Sequence, residues 1–367
     1  MLELYLEYDQ SIWLDHMDRG LLLRGDLRLL VSEGLRGVSS NPGIFYKAIS
    51  NSAAYDDLIN ELLQADHDMD DATLYEQVIV SDAQLAADFL EPVYVSSEGH
   101  DGFVSFEVSP HLAFDTPTTL EAARHLWRSV NRANLMIKIP ATEPGVSAIE
   151  QLIAEGINVN ATLLFSLDRY RAVADAYIRG LSQNKSPETM ASVASFFISR
   201  IDAKVDAALD VIDTPEAIKL KGRVAIANAK MAFLYFKKAM ASEAFEAQKK
   251  RGAAMQRVLW SDTSNKNPDY AELYYVEQLI GPATVSAMSS ETLQAFQLRG
   301  NLRDTLESDV EGARQTLETL TALGIDLDKI MQQLEKERVK KFADSYDQLL
   351  VVLKQKRLEI SRELVHG

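Results

Sequence analysis

The sequence predicts an α/β fold, a (β/α)8 TIM barrel that forms a single domain with additional helices. Short apolar segments recur along the chain, and each is followed by a segment in which apolar residues repeat at helical spacing. Strand alternating with helix eight times is the pattern of this barrel, and 367 residues is a common length for one such domain. No linker-like or repeated segment interrupts the pattern. We therefore assign residues 1–367 to one barrel domain.

Eight apolar segments of strand length define the predicted barrel. They lie at residues 11–15, 35–41, 103–109, 135–140, 157–165, 193–200, 257–262 and 283–289. Predicted helices between them lie at residues 117–133, 145–155, 166–182, 200–211 and 214–240. The intervals 42–102 and 201–256 are long enough to hold more than one helix each. Residues from about 301 to 367 have apolar residues at helical spacing, and we expect this C-terminal extension to pack across the barrel.

The composition argues against several classes of partner and site. Asp and Glu number 54 against 38 Lys and Arg, which gives a formal net charge of −16. A surface this acidic repels phosphate backbones and anionic lipid, so we expect neither nucleic acid nor a membrane as a partner. The chain has no cysteine, which excludes disulfides and thiolate chemistry. No signal-peptide pattern and no membrane-spanning apolar run is present, so we expect a cytoplasmic protein.

Cofactor motifs are also missing from the sequence. The six histidines show no HExxH or other metal-binding spacing. The sequence contains no GxGxxG, GxxxxGK[ST] or GxSxG motif, which leaves nucleotide-binding and hydrolase interpretations without support. We therefore expect neither a metal nor an organic cofactor.

Polar residues end the predicted strands, where the active sites of these barrels are built. The positions are Asp15, Ser39, Asn41, Glu107, Lys138, Asn160, Thr162, Ser195, Arg200 and residues 262–266. Two carboxylates and a lysine directed into one barrel mouth are costly unless they act together, so we interpret the group as an active site.

Each residue also has a purely structural interpretation when taken alone. Asp15 could cap a helix beginning near residue 17, and Glu107 could form a buried ion pair with Lys138. Asn160 and Thr162 could satisfy the ends of strands. Arg200 could bridge two aspartates further along its own helix, at positions 202 and 206. Their common location at the ends of consecutive strands favours the active-site interpretation.

Lys138 is the most informative position, because an ammonium interrupts the apolar strand "LMIKIP". A lysine buried in this way must be paired, extend its charged end to water, or serve chemistry. A desolvated amine attacks carbonyl groups to form a Schiff base, and the resulting iminium accepts the electrons of a breaking carbon–carbon bond. Asp15 or Glu107 would move the protons that this reaction requires.

Six motifs resemble the transaldolase family, specifically its longer bacterial subfamily. They are "GVSSNPGIFYKAI", "VSFEV", "NLMIKIPAT", "GINVNATLLFSLDRY", "SVASFFISRID" and "SDTSNKNP" with the following "LYYVEQLIGPATVSAM". The resemblance extends nearly from end to end, and the order and spacing of the motifs are specific.

The resemblance implies a role for each candidate residue. Lys138 is similar to the family's Schiff-base lysine, Asp15 to its acid–base, and Glu107 with Thr162 to the pair that holds the catalytic water. The other implied contacts hold the dihydroxyacetone part or the phosphate of the sugar. Asn41 and Asn160 are implied to hold the dihydroxyacetone part, and Ser39 is a further substrate contact. Those nearer the phosphate are Ser195, Arg200, Ser264 and Lys266, with Phe197 lining the pocket.

Three positions depart from the family pattern. Ser39 stands where Thr is usual, and Gly43 stands where Thr, Ser or Ala is usual. Ser109 stands where Asp is expected. Ser39 keeps the hydroxyl group, so the expected chemistry is unaffected there. Ser109 removes a negative charge beside Glu107.

By resemblance, the expected activity is transfer of a dihydroxyacetone unit from sedoheptulose 7-phosphate to glyceraldehyde 3-phosphate, in the non-oxidative pentose phosphate pathway. One alternative is an aldolase similar to fructose 6-phosphate aldolases, which release free dihydroxyacetone. Those relatives are shorter and have Gln and Tyr in place of Glu107 and Phe197. Another alternative is a catalytically inactive barrel that binds sugar phosphates. The sequence leaves both a monomer and a homodimer open.

Overall fold

The chain forms a closed barrel of eight parallel strands in a computed structural model that describes residues 1–366. Each strand pairs with the next one along the chain, and the last pairs with the first. This confirms the predicted TIM barrel. The strands are β1 (Gln10–Leu14), β2 (Gly37–Ser39), β3 (Phe103–Glu107), β4 (Leu135–Pro140), β5 (Val159–Leu164), β6 (Ser192–Phe197), β7 (Arg257–Ser261) and β8 (Thr284–Met288).

Helices surround the barrel, and none of those described is both long and apolar enough to cross a membrane. The helices up to β4 are α1 (Leu2–Tyr8), α2 (Arg19–Leu23), α3 (Asp26–Ser32), α4 (Pro42–Asn51), α5 (Asp56–Ala65), α6 (Asp71–Ser96) and α7 (Thr116–Val130). Those that follow are α8 (Glu143–Ala154), α9 (Leu167–Gln183), α10 (Ser199–Ile212), α11 (Pro215–Leu220), α12 (Val224–Met240), α13 (Glu243–Lys249), α14 (Tyr274–Glu277), α15 (Ser290–Arg299), α16 (Val310–Ala322) and α17 (Leu327–His366).

The single helix predicted over residues 214–240 is wrong, because the chain breaks it into α11 and α12. Gly222 lies at the break with a φ of +71°, in the left-handed region. Its backbone N–H donates to the carboxylate of Asp206, at 3.0 Å. The break therefore satisfies a buried carboxylate on the neighbouring helix α10.

The strands alternate between the barrel interior and the surrounding helices, as a period of two requires. Asp15, Lys138 and Ser195 each follow, by two positions, a residue of one small apolar cluster. That cluster fills the barrel below them, and its large members are Trp13, Phe103, Met136, Val193, Leu259 and Val285. The alternation thus places the polar side chains directly above this apolar cluster.

Short polar caps start the helices that leave the barrel mouth. The hydroxyls of Thr142, Ser166 and Ser289 accept backbone N–H groups at the first turns of α8, α9 and α15. At α8 the turn is tight, because a Cβ on Gly145 would lie 2.0 Å from the carbonyl oxygen of Pro140. The motif "PATEPG" therefore carries glycine where the helix must approach the end of β4.

Helix α17 lies across the mouth of the barrel. It packs against α10 and β5 on one side and against α4, α5 and α6 on the other. Polar contacts accompany this packing: an ion pair from Arg169 to Glu335 at 3.2 Å, and a hydrogen bond between His111 and Asp347 at 2.7 Å. The C-terminal extension thereby covers the ends of the strands.

We predict that α17 contributes strongly to the stability of the barrel. Leu349 is fully buried, whereas Leu358 on the same helix is 46% exposed. We expect Leu349→Ala to lower the free energy of unfolding by about 2–5 kcal/mol, because it leaves a cavity in the core. Leu358→Ala is the matched control and should have little effect. Urea unfolding of both variants would test this, and equal losses would contradict stable packing of α17.

Candidate active site

The side chain of Lys138 lies at the centre of the barrel mouth. It is only 3% exposed, although it carries an amine. Strand register places Glu107 of β3 beside it on one side and Asn160 of β5 on the other. Its Nζ donates to the hydroxyl of Ser39, at 3.4 Å. The structure therefore brings residues of four consecutive strands together around one amine.

Ser39 connects Lys138 to Asp15. The Ser39 hydroxyl donates to Asp15 Oδ1 at 3.1 Å, while it accepts from the lysine. Asp15 does not cap the next helix, because Asp18 fills that position and accepts the N–H of Leu21. The capping interpretation of Asp15 is thus wrong. Its carboxylate is instead directed at the group that surrounds the amine.

Glu107 is buried without a direct hydrogen-bond partner among the described residues. The pKa of its carboxyl is raised to about 7, chiefly by burial; the charges of Lys138 and Arg338 oppose this rise, and the charge of Asp15 adds to it. The carboxyl forms no close ion pair with Lys138, so the purely structural bridge is not what the structure shows. Near neutral pH this side chain is poised to give or take a proton.

The hydroxyl of Thr162, like the carboxyl of Glu107, is a buried polar group without a hydrogen-bond partner among the described residues. The residue is fully buried. Thr162 lies on β5 in register with Pro140, which ends the strand of Lys138. Two unsatisfied polar groups beside a buried amine suit a site that binds a polar molecule.

Asn160 is held in one orientation by hydroxyls on both sides. Its Nδ2 donates to Ser105 at 2.9 Å, and its Oδ1 accepts from Ser195 at 2.6 Å. Ser195 is therefore engaged with Asn160. The three side chains form a fixed polar wall below the mouth.

Asn41 and Ser264 both serve helix starts near the mouth. The Oδ1 of Asn41 accepts the N–H of Gly43 at 3.0 Å and so caps α4. The hydroxyl of Ser264 lies within hydrogen-bond distance of those of Ser289 and Thr292, at 3.2 and 2.8 Å, at the start of α15. These contacts place both residues at the rim of the barrel.

Two cations share one carboxylate at the rim between β6 and β7. Arg200 Nε lies 2.5 Å from Asp262 Oδ2, and Lys266 Nζ lies 3.3 Å from Asp262 Oδ1. Arg200 therefore does not bridge Asp202 or Asp206, and that alternative is wrong. Arg200 and Lys266 are partly exposed, so both can reach an incoming anion.

Arg338 of α17 belongs to the site and was missed by sequence reasoning. Its guanidinium carbon lies 5.7 Å from the ring centroid of Phe197, the last residue of β6. The ends of the strands predict only site residues that belong to the barrel, whereas Arg338 comes from the helix above them. The predicted packing of that helix across the barrel was the available signal.

The arrangement supports amine chemistry on a carbonyl group. A buried amine is adjacent to one carboxyl with a raised pKa and is linked through a hydroxyl to another. Cations stand at the rim, where a phosphate would lie. Among the side chains that the structure describes, no three of His, Cys, Asp or Glu are grouped as metal ligands.

Comparisons with known families and proteins agree with one another. The family described as transaldolase/fructose-6-phosphate aldolase matches residues 12–353. A protein of Frankia alni named transaldolase is 43% identical over 351 residues, which cover 94% of each chain. One of Nostoc punctiforme, named transaldolase 2, is 43% identical and is covered over 96% of its length. One of Mycolicibacterium smegmatis, named transaldolase, is 42% identical over 93% of each chain.

We predict that Glu107 makes stability depend on pH. The pKa of this carboxyl is about 7 in the folded protein against an ordinary value of 4.5, so the folded state holds a proton that the unfolded chain has released. The free energy of unfolding should therefore fall as pH rises from about 4.5 to 7 and stay lower above that. Glu107→Gln should remove this fall and be more stable than the wild type above pH 7, by roughly 1–3 kcal/mol.

Urea unfolding between about pH 4 and about pH 8.5, a range that includes both pKa values, would measure the effect. Glu246→Gln is the control, because this glutamate is exposed and lies far from the mouth on α13. Identical pH profiles for Glu107→Gln and the wild type would contradict the raised pKa.

Proposed function

The chain belongs to the transaldolase/fructose-6-phosphate aldolase family, and from this premise we propose that it is a transaldolase that acts through a Schiff base on Lys138. It would transfer a dihydroxyacetone unit from sedoheptulose 7-phosphate to glyceraldehyde 3-phosphate, giving erythrose 4-phosphate and fructose 6-phosphate. The observation that carries the proposal is the burial of the Lys138 amine between Glu107 and Asn160, linked to Asp15 through Ser39.

In the first stage, the neutral amine of Lys138 attacks the carbonyl carbon of the ketose phosphate and forms a carbinolamine. Loss of water from this adduct needs a proton for the departing hydroxyl group. Glu107 supports this step, because its raised pKa leaves much of the carboxyl protonated near neutral pH. The unpartnered hydroxyl of Thr162 would help to hold the water that carries the proton.

In the second stage, Asp15 takes the proton of the sugar hydroxyl next to the bond that breaks. The electrons of the carbon–carbon bond move into the iminium, the aldose leaves, and an enamine stays on Lys138. The incoming aldehyde phosphate then accepts the enamine carbon, Asp15 returns the proton, and water releases the new ketose. The hydrogen bond from Ser39 supports this role by keeping the Asp15 carboxylate at the site.

The substrate-binding residues follow from position along the mouth. We propose that Ser39, Asn41 and Asn160 bind the dihydroxyacetone part, which lies nearest Lys138. The phosphate would lie at the rim, with Phe197 forming the wall between the two ends. The proposed phosphate contacts are Ser195, Arg200, Ser264 and Lys266. The proposal includes a cytoplasmic location and needs no metal or organic cofactor.

Trapping with borohydride tests the Schiff base. We expect incubation with fructose 6-phosphate and borohydride to inactivate the enzyme and leave a reduced three-carbon adduct on Lys138, found by mass spectrometry of peptides. Lys230 on α12 is the internal control, because it is also buried but lies outside the mouth. Lys138→Met should take up no adduct and lose nearly all activity. A wild-type adduct on another lysine, or none, would contradict the proposal.

A coupled assay separates transfer from simple aldol cleavage. With fructose 6-phosphate as donor, we expect sedoheptulose 7-phosphate to form when erythrose 4-phosphate is present, and little free dihydroxyacetone to form without it. Rapid release of dihydroxyacetone without an acceptor would favour the aldolase alternative. Binding of fructose 6-phosphate by folded protein without either reaction would favour an inactive sugar-phosphate-binding barrel.

A further inference from the structure

The guanidinium of Arg338 is directed into the barrel mouth from above. It lies against two aromatic rings, with its central carbon 5.7 Å from the ring centroid of Phe197 and 4.8 Å from that of Phe342. Its Nε is buried and has no hydrogen-bond partner among the described residues. The apolar contacts hold the charged group in place but do not satisfy its donors.

The largest effect of a neighbouring charge on Arg338 comes from another cation. Burial lowers the pKa of Arg338, and so does the positive charge of Arg200, while Asp262, Glu107 and Asp15 raise it. Asp262 is already engaged by Arg200 and Lys266. Within the described residues, Arg338 thus stands near Arg200 without a close carboxylate of its own.

Two guanidinium groups near each other in a partly dry site repel each other, and this repulsion is relieved when an anion lies between them. A phosphate dianion suits this position, because its oxygens accept paired hydrogen bonds from the planar fork of arginine. Burial strengthens these bonds, since little water competes for the donors.

We propose that Arg338 binds the phosphate of the sugar substrate opposite Arg200, so that α17 supplies part of the specificity for phosphorylated sugars. The inference rests on the proposed function for the identity of the sugar. It gives α17 a role in recognition in addition to covering the barrel. Of the three cations Arg200, Lys266 and Arg338, Lys266 is the most exposed to solvent, at 39%.

Three variants test the assignment. Arg338→Met keeps an apolar stem over Phe197 but removes the charge, and Arg338→Lys keeps the charge without the fork. Lys340→Met is the matched control, because this side chain is 74% exposed and lies on the same helix. Initial rates with saturating fructose 6-phosphate would be measured with erythrose 4-phosphate and, separately, with unphosphorylated erythrose as acceptor.

For Arg338→Met we expect the KM for erythrose 4-phosphate to rise about tenfold or more, while the KM for erythrose stays unchanged. Arg338→Lys should lie between this variant and the wild type, and Lys340→Met should match the wild type. A fall in kcat that is equal for both acceptors, with both KM values unchanged, would overturn the proposal. Arg338 would then act on the charge of Glu107 and not on phosphate.

Inorganic phosphate gives a second readout that does not require turnover. We expect phosphate to raise the Tm of the wild type and of Lys340→Met but to have a much smaller effect on Arg338→Met. An equal rise in all three would overturn the proposal. An Arg338-dependent rise in a protein that shows no transaldolase activity would support the phosphate site and reject the proposed function.

Discussion

Exclusion of water from the barrel mouth is the condition on which the chemistry of the site depends. In water, the Glu107 carboxyl would be ionised at neutral pH; in the barrel its pKa is about 7, and it has no protein hydrogen-bond partner among the described residues. The same exclusion surrounds the Lys138 amine and strengthens every charge interaction near it. In a solvated cleft, the same side chains at the same distances would interact much more weakly, because water would screen their charges.

Two features of the fold produce this exclusion, one below the site and one above it. Below, the alternation of side chains along each strand places an apolar cluster under the polar residues, with Trp13 and Met136 two positions before Asp15 and Lys138. Above, α17 packs across the ends of the strands. A shift of one residue in strand register would exchange the interior and exterior faces, so the site depends on the register of the whole barrel.

The barrel and most of the site could be predicted from sequence, because both leave local signals. Lys138 is conspicuous as a charge within an apolar strand. Polar residues at the C-terminal ends of successive strands all lie at the same end of a parallel barrel. Arg338 leaves no such signal, since α17 carries several cations and only its packing decides which one faces the mouth. The break at Gly222 was missed for a similar reason, because a lone glycine is tolerated within a helical pattern and its partner Asp206 lies on another helix.

The position of α17 in the chain also determines the order in which the enzyme is completed during translation. All eight strands are synthesised before residue 327, so the barrel can close on the ribosome before the helix that covers it has been made. In that interval the ends of the strands lack the cover that α17 gives them in the complete fold. The helix that closes the mouth, and Arg338 with it, is therefore made after every strand of the barrel.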